Sequence, residues 1–345
     1  MFIPSRRVWP ASALLLATLA CTPGVQASSF DCSKATTQSE QAICADPYTA
    51  GLDAQLAQAW SLALGQSKAP KALRQDQRQW LQQREQCAAN LACLRGSYLS
   101  RLIELRYVNQ PFNWPGTWQR MSLSPFYAGE LVIRSLGGER LDFEISGMGG
   151  ANSGALQGEA QLKGEQASYA AEGCRLTFKR QQAFIEVSQE GESYDCGAGM
   201  GVSYAGRYVP SKRELELHYD LLSSALVRTE DEDRQARQLL GADYQALLDS
   251  GSLFTAENSA DLPDAEVTEL WLRGAANTNA AIFVRGAQGQ LWVALLVLVD
   301  DTDDVRVRYY TTVPEWRQSL PDVVQNWYEA RIKGKISRPA LDMMP

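Results

Sequence analysis

The sequence predicts a multidomain α + β protein: an N-terminal disulfide-stapled helical bundle, a middle antiparallel β sandwich or barrel, and a C-terminal α+β unit with an antiparallel meander. Apolar residues recur with the 3.6-residue period of a helix up to Tyr107 and with a period of two after Pro115. Acidic residues concentrate in the last third. We therefore expect a leader at residues 1–27 and three units, at residues 28–108, 113–212 and 213–345.

The first 27 residues have the pattern of a secretory signal peptide. Arg6 and Arg7 supply the positive start, a short apolar core follows, and small residues precede a cleavage site after Ala27. Lipoprotein anchoring at Cys21 is the weaker alternative. Because the apolar core is too short to span a bilayer, we expect a periplasmic protein with no integral membrane segment after removal of the signal.

The charge is unevenly distributed along the chain. Residues 28–107 carry 9 basic and 7 acidic groups, residues 108–212 carry 9 and 11, and residues 213–345 carry 13 and 22. The acidic field of the last segment would attract a basic partner and repel nucleic acid.

Helical periodicity appears in three long segments of the first unit. Two helices are predicted at about 47–66 and 70–87, with a third from Leu91 to Leu105 and a short one near 36–43. Pro47 suits a helix start, and the stretch 67–70 marks a tight turn. The first two long helices should therefore run antiparallel.

The cysteines fit an oxidising compartment. Outside the leader six remain, an even number that favours disulfides. The antiparallel helices place Cys44 beside Cys87 and leave Cys32 for Cys93, although the sequence permits three connectivities for four cysteines. Cys174 and Cys196 form the remaining pair. A zinc site is disfavoured, since the chain has no CxxC pair and a single histidine.

The first unit combines four cysteines with a tryptophan and arginines in a specific pattern. The residues of this pattern are Cys32 to Ala35, Glu40 to Cys44, Pro47, Leu52-Asp53, Gln77 to Leu81, Arg84, Cys87, Cys93 and Arg101-Leu102. With them the unit resembles the LprI-type domain family over about residues 30–107. The family is named for a lipoprotein that inhibits lysozyme, so the resemblance implies an all-α, disulfide-stapled domain in a cell-envelope protein and, less directly, lysozyme inhibition.

Within this unit, Asp53 and Arg84 fall on adjacent helices and are expected to form a structural ion pair, and Trp80 is expected in the core. The loop 45–52 and the turn 88–91 flank the stapled end, where rigid loops could enter a cleft at little entropic cost. The predicted contact residues there are Asp46, Pro47, Tyr48 and Asn90.

The middle unit reads as short strands between glycine-rich turns. Seven strands are predicted, at about 117–123, 130–134, 141–145, 155–162, 175–178, 184–187 and 202–208. The stretch 147–154 is rich in glycine, but a strand rather than a helix follows it. A turn with several positive φ values is therefore expected there, not a phosphate-binding loop.

The last unit combines helices with a meander. Helices are predicted from about 229 to 240 and 243 to 248, strands at 267–272, 280–284, 291–299 and 305–311, and a closing helix from Pro314. Asp300 to Asp304 lacks the glycine and glutamate of a calcium loop, so it is interpreted as a solvated turn.

The function favoured by these observations is binding and blocking of a lysozyme, a basic protein. The alternative is a non-catalytic envelope module that binds peptidoglycan or an envelope protein. A hydrolase ranks last, because His218 stands alone in an alternating stretch and no carboxylate pair is selected by the sequence. We expect neither a cofactor nor a metal.

Overall fold

The computed structural model describes residues 28–211, 215, 219–257, 260–299, 304–332 and 339–345. The fold class is confirmed: N-terminal helices with disulfides, an eight-stranded antiparallel barrel, and a C-terminal sheet with helices. The leader, His218 and Asp300 to Asp303 lie outside the described residues.

Four helices form the first part of the molecule. They are α1 (Gln38–Ala45), α2 (Pro47–Gln66), α3 (Pro70–Glu85) and α4 (Leu91–Tyr107). Proline at the first position starts both α2 and α3, because its missing N–H would be unpaired there in any case. Ile43, Leu94 and Tyr98 are fully buried between the helices, and Trp80 is buried as predicted.

The predicted cysteine pairing in this unit is wrong. Cys32 bonds to Cys44 and Cys87 bonds to Cys93, so each bridge closes a local loop instead of joining two helix ends. The end of α3 does lie beside α1, since the Ser39 hydroxyl donates to the Glu85 carbonyl at 3.3 Å. However, Ser39 is buried on that contact face, and Cys44, five residues further on, is not in line with it.

The middle part is a closed antiparallel barrel in which β1 pairs with β8. Its strands are β1 (Gly116–Arg120), β2 (Gly129–Gly137), β3 (Arg140–Gly149), β4 (Asn152–Lys163), β5 (Gln166–Ala171), β6 (Cys174–Gln181), β7 (Phe184–Glu190) and β8 (Gly206–Pro210). β5 was not predicted. The predicted pairing of Cys174 with Cys196 is present. Trp118, Phe143 and Tyr208 belong to the barrel core.

The C-terminal part is a six-stranded sheet with helices on both faces. Its elements are α5 (Glu230–Leu240), α6 (Asp243–Leu248), β9 (Ser252–Ala256), β10 (Glu266–Trp271), β11 (Ala280–Arg285), β12 (Leu291–Leu298), β13 (Val305–Thr311), α7 (Asp322–Ile332) and β14 (Leu341–Met343). The strand order is β14-β13-β12-β11-β10-β9. The two edge strands, β9 and β14, were not predicted from the sequence. Pro314 begins only a short 3₁₀ turn, and the closing helix starts at Asp322.

The barrel contacts the C-terminal unit through the turn between β3 and β4. The Ala151 N–H donates to the Arg273 carbonyl at 2.9 Å. Gly150 has φ 74°, and a Cβ there would lie 2.6 Å from the same carbonyl oxygen, so only glycine permits this approach. Among residues 147–154 Gly150 alone has positive φ, which corrects the expectation of several.

The helices contact the barrel through a buried charge network. Glu104 accepts hydrogen bonds from Arg101 of α4 at 2.8 Å and from Arg207 of β8 at 3.0 Å. Arg207 also pairs with Glu186 of β7 at 3.1 Å. The three units are thus fixed against one another by specific polar contacts.

Candidate protein-binding groove

Asp46 is not available for contact with a partner, contrary to the sequence-based prediction. Its side chain is 4 % exposed and accepts hydrogen bonds from Arg95 at 2.8 and 2.9 Å. It also caps α2 by accepting from the Thr49 N–H at 3.0 Å. Burial alone would raise the pKa of the Asp46 carboxyl, but the hydrogen bonds and charge of Arg95 outweigh it and hold that pKa below its ordinary value.

Arg95 uses the rest of its guanidinium to hold the C-terminal unit. Its Nη1 donates to the carbonyl oxygens of Val227, at 2.9 Å, and of Leu222. The guanidinium also lies 4.8 Å from the centre of the Tyr48 ring, and Tyr48 packs partly against the C-terminal core. We call this set, Asp46, Arg95 and the two carbonyls, the clasp.

The predicted loop at 45–52 is therefore largely a helix start held inside the molecule. Pro47 is exposed as the first residue of α2, and Tyr48 is half-buried in the interface. A sequence cannot show which later segment covers a helix end, so burial at this position could not be foreseen.

Asn90 is the predicted contact residue that lines a groove. It is exposed, and its side chain caps α4 by accepting from the Cys93 N–H at 2.9 Å. The Cys87–Cys93 bridge closes this turn. The turn forms one wall of a groove of about 770 Å³.

The groove lies between the helical unit and the β9 edge of the C-terminal sheet. Its volume is within the range of about 300–1,000 Å³ that is usual for ligand sites. The lining residues come from three segments: Ala89 to Ala92 of the stapled turn, Ser224 to Arg228 apart from Val227, and the β9–β10 region with Leu253, Ala256, Glu257 and Ala265 to Thr268. The clasp fixes the first two segments against each other.

The groove combines an apolar floor with a charged rim. Leu226 and Val267 are buried, while Glu257 and Glu266 are exposed. The cation on this rim, Arg228, forms an ion pair with Glu266 and donates to the Ala225 carbonyl at 2.9 Å. The rim carries more negative than positive charge, which suits a basic ligand.

Glu232 stabilises the rim by accepting a hydrogen bond from the main chain of Arg228. Burial would raise the pKa of its carboxyl, but hydrogen bonds from Arg285 and from the Arg228 N–H at 2.6 Å keep that pKa below its ordinary value. The negative charge of Glu232 is therefore paired with Arg285 and is not offered to a ligand.

The predicted Asp53–Arg84 pair is indirect. The Tyr98 hydroxyl lies between the two side chains: it accepts from Arg84 at 2.9 Å and donates to Asp53 at 2.8 Å. Burial raises the pKa of Tyr98, so the hydroxyl remains a proton donor. The triad lies inside the helical unit and serves its stability.

The described residues hold no group of three or more histidine, cysteine, aspartate or glutamate side chains placed for a metal ion. None of the described helices is long and apolar enough to cross a membrane. What the groove offers chemically is shape, an apolar floor and negative charge. These properties suit recognition of another protein.

Comparison with known proteins identifies one part of the chain. The family model described as "Lysozyme inhibitor LprI" matches residues 32–127. We call this matched segment the LprI domain. The match confirms the resemblance and extends it past α4 to β1 and the 3₁₀ turn Pro125–Tyr127. No curated protein and no solved structure matches the chain.

Sequence reasoning missed the sheet edge of the groove. The run Ser252 to Ala256 is bounded by Gly251 and contains residues common in strands, so a local signal was present. It is short and does not alternate in polarity, which is why the period-of-two pattern did not reveal it.

Proposed function

We propose that this protein binds a lysozyme and blocks its access to cell-wall glycan. The observation that carries the proposal is the LprI match over residues 32–127, since the description of that family names an inhibitor of lysozyme and no catalyst. Three disulfides suit an oxidising compartment, which supports the proposal of a periplasmic protein.

The groove supports the proposal because it brings a rigid turn and acidic side chains together at one accessible site. The LprI domain contributes the stapled turn with Asn90, and the acidic C-terminal unit contributes Glu257 and Glu266. Lysozymes are usually basic, and complementary charge speeds association and fixes orientation. The slightly positive charge of residues 28–107 therefore presents no obstacle, because the negative charge comes from the opposite wall.

The test is the residual activity of a c-type lysozyme on cell-wall substrate, titrated with the full chain. The LprI domain alone is unsuitable for this test. Without the C-terminal unit, Arg95 would lack the carbonyls of Leu222 and Val227 that it binds in the full chain. We expect stoichiometric inhibition. The absence of inhibition by micromolar protein with verified disulfides would remove this partner and favour an envelope binding module.

Two groove variants locate the contact. Ala89→Arg places a bulky cation on the groove wall formed by the turn that the Cys87–Cys93 bridge closes. Glu257→Lys reverses an exposed charge on the opposite wall. Each should weaken inhibition by at least about fivefold, equivalent to about 1 kcal/mol. Glu139→Lys, an equal charge reversal in the turn between β2 and β3, is the matched control and should inhibit normally. Equal loss in all three variants would point to net charge instead of the groove.

A further inference from the structure

The edge strand β9 lacks two kinds of residue that protect sheet edges. Its five residues, Ser252 to Ala256, include no charged residue and no proline. Soluble proteins usually protect an edge with such residues, with a bulge or with a covering element, because an open edge can pair with another chain. In the described part of the chain, β10 is the strand that pairs with β9.

Among the described residues, the backbone of β9 has no hydrogen-bond partner on the side away from β10. In an antiparallel pair alternate residues direct their N–H and C=O groups to the partner strand, and the others direct theirs away. β9 pairs with β10 throughout, from Ser252 opposite Trp271 to Ala256 opposite Val267. Leu253 and Ala256 also line the groove, so its free edge borders a space large enough for another segment.

An exposed aromatic residue offers an anchor on this strand. Phe254 is 40 % exposed and stacks on Trp271, with ring centroids 4.5 Å apart and planes 7° from parallel. Because residues two apart share a face of a strand, Phe254 and Ala256 point to the same side. A strand added beside β9 could place an apolar side chain against this pair.

The negative charges around β9 favour a positively charged segment as the added strand. Glu257 and Glu266 flank the end of the strand and line the groove. Arg228 is occupied by Glu266. A second copy of this chain would bring the same carboxylates together, whereas a segment with lysine or arginine would complement them.

We propose that β9 accepts an extended basic segment of the partner protein as an additional strand, with an apolar side chain of that segment packed on Phe254. Main-chain hydrogen bonds would supply affinity, and alternate side chains would supply specificity. The inference rests on the proposed function for the identity of the partner, but the way of binding rests on the edge strand itself.

The experiment uses a fluorescent peptide of alternating lysine and valine, with the full chain as receptor and anisotropy as readout. Two control peptides separate the contributions. Alternating glutamate and valine reverses the charge. Alternating lysine and proline keeps the charge but removes the N–H of every second residue and fixes φ there. We expect the lysine–valine peptide to bind at least about tenfold more tightly than either control. Equal binding of the lysine–proline peptide would overturn strand addition, as would no binding of the lysine–valine peptide.

A matched pair of receptor variants tests the location. Phe254→Lys and Leu298→Lys each replace an exposed large apolar residue of the same sheet, and Leu298 is 55 % exposed. Phe254→Lys should weaken peptide binding by at least about tenfold, and Leu298→Lys should leave it unchanged. Glu257→Lys changes an exposed side chain and should weaken peptide binding about two- to fivefold. This second variant keeps the test valid if Phe254→Lys fails to fold. Unchanged binding in both Phe254→Lys and Glu257→Lys would overturn the assignment.

Analytical ultracentrifugation of the protein without peptide tests whether a second copy of this chain occupies β9 instead. A dimer that is lost in Phe254→Lys would assign the edge to a second copy and overturn the proposal; a monomer supports it. The lysozyme titration is independent of these results. Peptide binding without lysozyme inhibition would reject the proposed partner and retain the docking edge, and inhibition without peptide binding would do the reverse.

Discussion

The two edges of the C-terminal sheet are built in opposite ways. At one edge β14 has only three residues, and Asp342 in its centre accepts a hydrogen bond from Arg306 at 2.6 Å. This hydrogen bond lowers the pKa of Asp342, so the carboxylate keeps its charge to a lower pH than usual. At the other edge β9 has five uncharged residues and an exposed phenylalanine.

The difference shows that this chain protects one edge of the sheet, at β14, against pairing with another strand, and does not use the same means at β9. A short strand with a central charge is a usual way to prevent edge-to-edge pairing. The open edge is bordered by a groove whose far wall comes from the LprI domain, and the clasp fixes the segments beside it. Among the described residues β9 pairs with β10 alone, which fits its proposed use as a docking edge.

Arg95→Met should have the largest effect, because it breaks the clasp. It would leave Asp46 buried without its counter-charge and two carbonyls without a donor. The expected loss is about 3–5 kcal/mol of the free energy of unfolding, measured by urea denaturation, with loss of groove-dependent binding. A loss below about 1 kcal/mol would mean that the two units are held together in another way.

Removal of the Cys87–Cys93 bridge comes next. The double variant Cys87→Ser, Cys93→Ser should lose about 2 kcal/mol of stability, as expected for a short closed loop, and should loosen the stapled wall. Peptide mapping without reduction checks the connectivity first. Finding Cys44 linked to Cys87 would contradict the structure at this position.

Acid should release the clasp. Because the folded-state pKa of Asp46 is lowered from 3.8, its contribution is fully present above that pH and is lost as the pH falls through the lower folded-state pKa. Unfolding free energies measured from pH 5 downward should therefore fall less steeply in Asp46→Asn than in the unmodified protein. Identical slopes would show that Asp46 does not carry the acid dependence.

Asp342→Lys should have the smallest effect on stability, about 1 kcal/mol or less, because the pair is partly exposed. The new lysine would face Arg306, so β14 should detach and its amide protons should exchange faster. Exchange at β9 should not change. Equal changes at both edges would indicate that the sheet responds as a whole and would weaken the comparison.

Much of the fold could be predicted because local signals marked it. Pro47 and Pro70 fixed two helix starts, and glycine turns separated most barrel strands. The pairing of Cys44 could not be predicted from helix order, because the face of α1 that carries it decides the partner. β14 lies apart from the other strands in sequence, and three residues carry no periodic pattern.

The candidate site was predicted only in part, for a physical reason. Asn90 lies on a turn whose exposure follows from its own sequence and bridge. Asp46 and Tyr48 were expected at the surface, but their burial depends on Leu222 and Val227, which are far away in sequence. A groove between units results from such long-range contacts, and local patterns do not reveal them.

The most direct test of the central claim is hydrogen exchange of the full chain with and without stoichiometric c-type lysozyme. We predict slower exchange at Ser252 to Ala256 and in the turn 88–91, with no change at Leu341 to Met343. Lysozyme binding that leaves β9 exchange unchanged, or that protects β14 instead, would contradict the claim that the open edge is the docking site.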